Sequence, residues 1–147
     1  MNIKIKTFQE LELDELYKIL QLRSEVFVVE QDCVYQDIDG KDIKAIHIMG
    51  FEGDELVAYT RCFKPGYYFE EASIGRVIVK FPFRKYGFGH DILKASIALI
   101  EKQYQTKKIK LSAQTYLKKF YETHGFNQSG EGYLEDGIPH IAMIKGY

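Results

Sequence analysis

The opening segment Met1 to Glu10 lacks any continuous apolar run and instead alternates lysine with apolar residues, which argues against a signal peptide or a membrane span. Only two cysteines occur, Cys33 and Cys62, far apart and without C-x-x-C spacing. The four histidines, His47, His90, His124 and His140, complete no metal-ligand pattern with them. A reduced, metal-free, cytoplasmic protein is the expectation. A charge excess of either sign is also missing, since the formal net charge is -1. That leaves no basic field to hold nucleic acid or an anionic membrane, so partners are expected to be small molecules. There is no internal repeat and no low-complexity stretch. What remains is a chain of 147 residues that is 46% hydrophobic, long enough for one core and too short for two ordinary domains. One domain over residues 1–147 is expected.

Periodicity gives the order of elements. Ile3, Ile5 and Thr7 alternate with Lys4, Lys6 and Phe8, a period of two that reads as a strand. From Asp14, which can act as an N-cap, Leu16, Ile19, Leu20, Leu22 and Val26 follow helical spacing. The acidic stretch Val28 to Asp42 reads as a loop, with one short helical turn near its start. Ala45 to Phe51 and Leu56 to Phe63 read as a hairpin around Glu52, Gly53, Asp54 and Glu55. A turn region, Lys64 to Glu71, leads to a strand over Ser73 to Lys80. A helix begins near Gly87, with Ile92, Leu93, Ile97, Ile100 and Tyr104 on one side. Ile109 to Ala113 is a short strand, Thr115 to Thr123 a short helix ended by Gly125, and Ile138 to Ile144 a final strand; a further strand fits around Gly130 to Leu134. Hairpins followed by β-α-β units imply an α/β fold of the α+β type, with a mixed, partly parallel sheet flanked by helices.

The chemistry concentrates in Val77 to His90, which runs from a strand through a glycine-bearing loop into a helix and contains R-x-x-G-x-G. Glycines at 87 and 89 let backbone come close to a ligand. A helix N-terminus adds unpaired N–H donors and partial positive charge, a site suited to a pyrophosphate. The two common phosphate loops do not fit: a P-loop needs G-K-[ST] after its second glycine, and a Rossmann loop needs a third glycine where Ile92 stands. A plain strand-to-helix turn would explain a lone motif of this kind equally well, so its context matters.

A second block lies downstream, Leu111 to Leu117 followed by Phe120-Tyr121-Glu122-Thr123-His124-Gly125-Phe126. With both blocks in order, the chain resembles the GNAT N-acetyltransferase superfamily. Arg23, Val26 to Gln31, Tyr35, Asp37, Asp39-Gly40, Ile74 to Val77 and Gly137 to His140 resemble its ElaA-like branch. Two positions depart from the pattern: Lys85 stands where a glycine is common, and Gln114 where many relatives have asparagine. The resemblance implies a GNAT-like fold and an N-acetyltransferase that uses acetyl-coenzyme A as cosubstrate, without a metal. It also implies that backbone at Val77 and Val79 pairs with the pantetheine arm. Arg84, Lys85, Tyr86, Gly87, Phe88, Gly89 and His90 would then hold the pyrophosphate, with Gln114 beside the cofactor. Tyr121 occupies the general-acid position, where a phenol can protonate the departing thiolate.

The acceptor is expected to be a small-molecule or peptide amine, and its proton must go somewhere. An alkylammonium is neutral only about once in 10³ at pH 7. Glu30, Glu70, Glu71, Asp37, Asp39 and His140 all qualify chemically, and no spacing separates them. Glu30, Arg76 and His140 are the candidate substrate-side residues. Arg23 and Arg76 suit either an acidic substrate group or a salt bridge that fixes the loop Glu30 to Asp42. The acidic residues of that loop favour a cationic acceptor. The alternative to an enzyme is a non-catalytic module that binds acetyl-coenzyme A, and the oligomeric state is left open.

Overall fold

A computed structural model describes residues 1–146. Seven strands form one sheet in the order β1-β2-β3-β4-β5-β7-β6. They are β1 (Asn2–Thr7), β2 (Ile46–Glu52), β3 (Glu55–Phe63), β4 (Ala72–Val79), β5 (Ile109–Gln114), β6 (Asn127–Glu135) and β7 (Ile138–Lys145). Only β4 and β5 run parallel; every other neighbouring pair is antiparallel. The helices are α1 (Leu13–Arg23), α2 (Phe88–Tyr104) and α3 (Lys118–Glu122). The mixed sheet flanked by helices agrees with the sequence reading.

Alternation along the central strands assigns each side chain to a layer. Met49 and Tyr59 join Ile19, Leu22 and Val26 on one face, whereas Ile48 and Ala58 join Ile92, Leu93 and Ile100 on the other. Thus α1 covers one side of the sheet and α2 the opposite side. Ile92, Leu93 and Ile100 are fully buried, and each contributes about 1.5–3 kcal/mol of transfer free energy. Ser96 lies on the same buried stripe; its hydroxyl donates to the Ile92 carbonyl and shares a hydrogen bond with Thr60.

Several boundaries differ from expectation for local reasons. Asp14 lies inside the first turn of α1, and the cap is Glu12, whose side chain meets the third backbone N–H while Glu15 reaches back to the Glu12 amide. The helical turn expected near the start of the Val28 to Asp42 segment is present, as a π-helical turn, Ser24–Glu30, that begins earlier and continues directly from α1. Lys80 falls outside β4 and begins the turn into a 3₁₀ segment, Phe81–Tyr86. The helix expected over Thr115 to Thr123 is split into a 3₁₀ turn, Thr115–Leu117, and α3. The hairpin between β2 and β3 is tighter than the four polar residues suggested, since Glu52 already pairs with Glu55.

Candidate functional site

β4 and β5 are paired only at Ala72 with Ile109 and Ser73 with Lys110. Beyond those residues the strands part, so the edge of β4 from Ile74 to Val79 has no partner strand on that side. A bulge sharpens the divergence. β4 loses register with β3 between Tyr59 and Arg61, leaving Arg76 and Val77 opposite Thr60, and Arg76 adopts φ +50°. An extra residue of this kind bends and twists a strand. The gap opens into a cavity of about 460 Å³.

The N-terminus of α2 closes one end of this fork. Gly87 caps the helix with φ +75°, ψ +14°, a left-handed conformation that costs glycine nothing and a β-branched residue a great deal. A Cβ on Gly89 would sit 3.5 Å from the Phe120 ring and 3.6 Å from Val79 Cγ2, so α2, α3 and β4 meet closely there. The His90 amide donates to the Gly87 carbonyl at 3.1 Å, whereas the amides of Gly87 to Gly89 precede the first helical hydrogen bond and lie at the mouth of the fork. Among the sequence candidates, Val77, Val79, Arg84, Gly87, Gly89, His90, Gln114 and Tyr121 line the cavity, as do Glu30, Arg76 and His140. Lys85, Tyr86 and Phe88 do not. The Lys85 ammonium lies over the Tyr86 ring, which packs against Phe88 outside the cavity.

Arg84 and Glu30 are committed to each other. The Arg84 guanidinium donates to both Glu30 carboxylate oxygens, at 2.7 and 2.9 Å, and its Nε donates to the Val79 carbonyl at 2.8 Å. This bidentate pair joins the π-helical turn to the loop before α2. A carboxylate held this way is a poor choice for a proton acceptor.

The acidic loop has a similar fate. Arg23 donates to Asp37 and Asp42, Arg61 to Asp39 and Asp42, and Arg76 to Asp37 and Asp39. Arg23 and Arg61 are almost wholly buried. Burial alone would raise the Asp39 pKa, yet the Arg61 hydrogen bonds and the neighbouring cations outweigh it and hold that carboxyl down to about 2. Asp42 is lowered likewise, against its burial, by Arg23 and Arg61. Three arginines and three aspartates cancel, so Asp37, Asp39 and Asp42, three of the five acidic residues (with Glu30 and Asp32) behind the lean toward a cationic acceptor, lend it no support. Arg23 and Arg76 fix the loop, the second of the two roles considered for them.

Tyr121, from α3, is buried against Phe120 and Phe126. Burial, and then the nearby Tyr116 phenol, push its own phenol well above the ordinary range, so it keeps its proton at neutral pH. Across the cavity, β5 and the β6–β7 hairpin supply Ser112, Gln114, Glu135, Asp136 and His140. His140 Nδ1 bonds the Ile138 carbonyl at 2.7 Å, and Nε2 lies 3.4 Å from Glu135 Oε2. Glu135, Asp136, Ser112 and Tyr116 were not singled out from sequence. The one available signal was Asp136-Gly137, a dipeptide suited to a two-residue hairpin turn, and both residues do adopt positive φ. Among the described residues no group of three or more His, Cys, Asp or Glu side chains is arranged to hold a metal ion. No described helix is long and apolar enough to cross a membrane.

Comparison with known proteins agrees with this geometry. The family model for the acetyltransferase (GNAT) domain matches residues 7–146. Protein ElaA of Escherichia coli is 44% identical over 138 residues, covering 92% of this chain and 90% of that protein. Its crystal structure superposes with a TM-score of 0.92 at 41% identity, over 98% of each chain. An acyl-CoA N-acyltransferase from Pseudomonas aeruginosa superposes with a TM-score of 0.93 at 39% identity, over 99% of each chain. A more distant likeness, of fold alone, is to the PaiA N-acetyltransferase of Thermoplasma acidophilum in complex with coenzyme A, with a TM-score of 0.72 at 15% identity over 100% of each chain.

Proposed function

The chain belongs to the GNAT acetyltransferase family, in its ElaA-like branch, and from that premise we propose that it transfers the acetyl group of acetyl-coenzyme A directly to an amine. The observation that carries this reading is the fork: an unpaired β4 edge leads straight to the glycine-capped N-terminus of α2. A pantetheine arm has amides that can pair with an open strand edge as another strand would. The pyrophosphate would meet the amides of Gly87 to Gly89 in the Arg84 to His90 segment, where the helix dipole favours negative charge. Arg84 has a different part from the one its motif suggests, since its side chain braces Val79 and Glu30. A cytoplasmic setting goes with this reading, because acetyl-coenzyme A is an intracellular metabolite and two unpaired cysteines suit a reducing compartment.

In the reaction the neutral amine nitrogen attacks the thioester carbonyl carbon, forming the C–N bond, and the C–S bond then breaks. Tyr121 donates its phenolic proton to the departing thiolate. The attacking nitrogen releases one proton to solvent as the amide forms, and the Tyr121 phenolate takes one back from solvent. Fixing both partners in the fork removes much of the entropic cost of their encounter. The test is thiol release from acetyl-coenzyme A against a panel of primary amines. Saturable release that depends on the amine is expected. Binding of acetyl-coenzyme A without release by any amine would overturn the catalytic reading in favour of a binding module.

A further inference from the structure

His140 sits in an arrangement whose chemistry is incomplete. A carbonyl oxygen can only accept, so the short contact with Ile138 O fixes Nδ1 as the donor. In the neutral ring Nε2 is then a bare lone pair. It faces Glu135 Oε2 at 3.4 Å, which places two acceptors opposite each other with no proton between them. The other Glu135 oxygen lies 3.4 Å from the Ser112 hydroxyl, which is itself bonded to Tyr133. Tyr133 stacks on the His140 ring at an interplanar angle of 20°. The ring is thereby fixed from β6 and β7 together, and both acceptors open to the cavity at its acceptor end.

We propose that Glu135 and His140 form the acceptor-amine site: the carboxylate receives the incoming ammonium, and Nε2 of His140 takes its proton. An alkylammonium carries three donors and so can reach Glu135 and His140 at once. Transfer converts RNH₃⁺ and neutral imidazole into RNH₂ and imidazolium, which then pairs with Glu135. The freed nitrogen lone pair is the nucleophile of the reaction proposed above, on which this inference rests. At turnover the imidazolium proton passes to solvent.

The surroundings suit that exchange. β5 contributes only the uncharged Ser112 and Gln114, the latter directly opposite His140. Glu135 and Tyr133 from β6 touch the ring; the charged groups elsewhere on the cavity wall are Asp136 at the turn, the ion-paired Glu30 and Arg84, and Arg61 and Arg76, which are paired with Asp37, Asp39 and Asp42, beside the titratable Cys33, Tyr35, His90, Tyr116 and Tyr121. Glu135 and Asp136 are thus the acidic side chains of this wall that no arginine or lysine neutralises among the described residues. Imidazole is the side chain whose charge changes between pH 5 and 8.

The experiment compares wild type, His140→Asn and Glu135→Gln by thiol release from pH 6 to 9.5, using the best substrate among ethylamine, spermidine and lysine methyl ester. Asn retains an amide donor at the Nδ1 position, and Glu135→Gln is isosteric at a half-exposed site. His140→Asn is expected to lower amine kcat/KM by roughly 10² to 10³, with the KM for acetyl-coenzyme A unchanged. Its rate should then simply follow the free-amine concentration with pH. Glu135→Gln should raise the amine KM more than it lowers kcat. Wild-type kcat/KM and pH profile in either folded variant would overturn the proposal. If wild type binds acetyl-coenzyme A but acetylates none of these amines, the transfer reading fails separately. The pair is then read by nitrogen NMR of the His140 ring, which ethylamine should shift in wild type and not in Glu135→Gln. No shift in wild type would overturn the ammonium site without reference to turnover.

Discussion

Tyr121 and Gly87 make different demands on their side chains, and substitution separates them. The Tyr121 ring packs against Phe120 and Phe126, so Tyr121→Phe should fold and bind acetyl-coenzyme A normally. If its phenol protonates the leaving thiolate, kcat should fall by roughly 10² to 10⁴. Steady-state kinetics beside calorimetric titration checks this, and an unchanged kcat would return Tyr121 to a packing role. At Gly87 the constraint is conformational: a Cβ there would meet nothing within 4 Å, yet the residue must hold φ +75°. Gly87→Val should therefore distort the α2 N-terminus and abolish the rise in melting temperature caused by acetyl-coenzyme A. An undiminished rise in a folded variant would remove this cap from the binding site. Both residues were legible from sequence because each lies in a contiguous motif. Glu135 was not, since what distinguishes it is a neighbour brought across from β7 by hairpin register.

The π-helical turn Ser24–Glu30 and the loop after it owe their position to the arginine–aspartate network. Arg23→Met would leave Asp37 and Asp42 facing a buried apolar group, and removing one member of a buried ion pair typically costs about 3–5 kcal/mol. Urea unfolding should register that loss. The same elements predict acid sensitivity. Because the folded-state pKa of Asp39 is depressed to about 2, its contribution is present above the ordinary aspartate pKa of about 3.9 and disappears as pH falls toward 2. Asp42 acts in the same direction. His47 adds a loss that begins at higher pH: burial lowers its pKa, so below about pH 6.5 the unfolded chain takes up a proton that the folded one refuses. The urea midpoint should thus decline in two stages, first below neutrality and again below about pH 4. A flat midpoint from pH 7 to 3 would refute this account. Sequence reading offered Arg23 and Arg76 as braces of this loop but missed Arg61 and could not assign the pairings, because the partners are 14 to 39 residues apart. The turn was expected near Val28, but its π character and its start at Ser24 were not readable, since Val26-Phe27-Val28-Val29 is an unbroken apolar run without a clear period.

Over the whole molecule, the two-layer helical cover and the mixed sheet were readable because α2 and β2 to β4 are long and strongly patterned. The edge strand β6 was harder, being exposed along nearly all its length and so without a buried alternation to mark it. The assembled fork makes a thermodynamic prediction. A ligand that binds only the folded state raises the melting temperature by mass action, and amides with a helix dipole favour phosphorylated ligands. Coenzyme A should therefore stabilise the protein far more than pantetheine at equal concentration; equal shifts in differential scanning fluorimetry would mean that the phosphates go unread. The sheet order has a further consequence, for the sequence of folding events. β5 touches β4 at only two positions, whereas β7 pairs with it along its whole length from Ile109 to Gln114. The wall of the fork is thus held in place by a strand translated some 30 residues later. A nascent chain that has already released α2 and its glycine cap from the ribosome still lacks the strand that holds β5 along its length. The proposed ligand would meet its complete site only after the last strand has inserted between β5 and the edge strand β6.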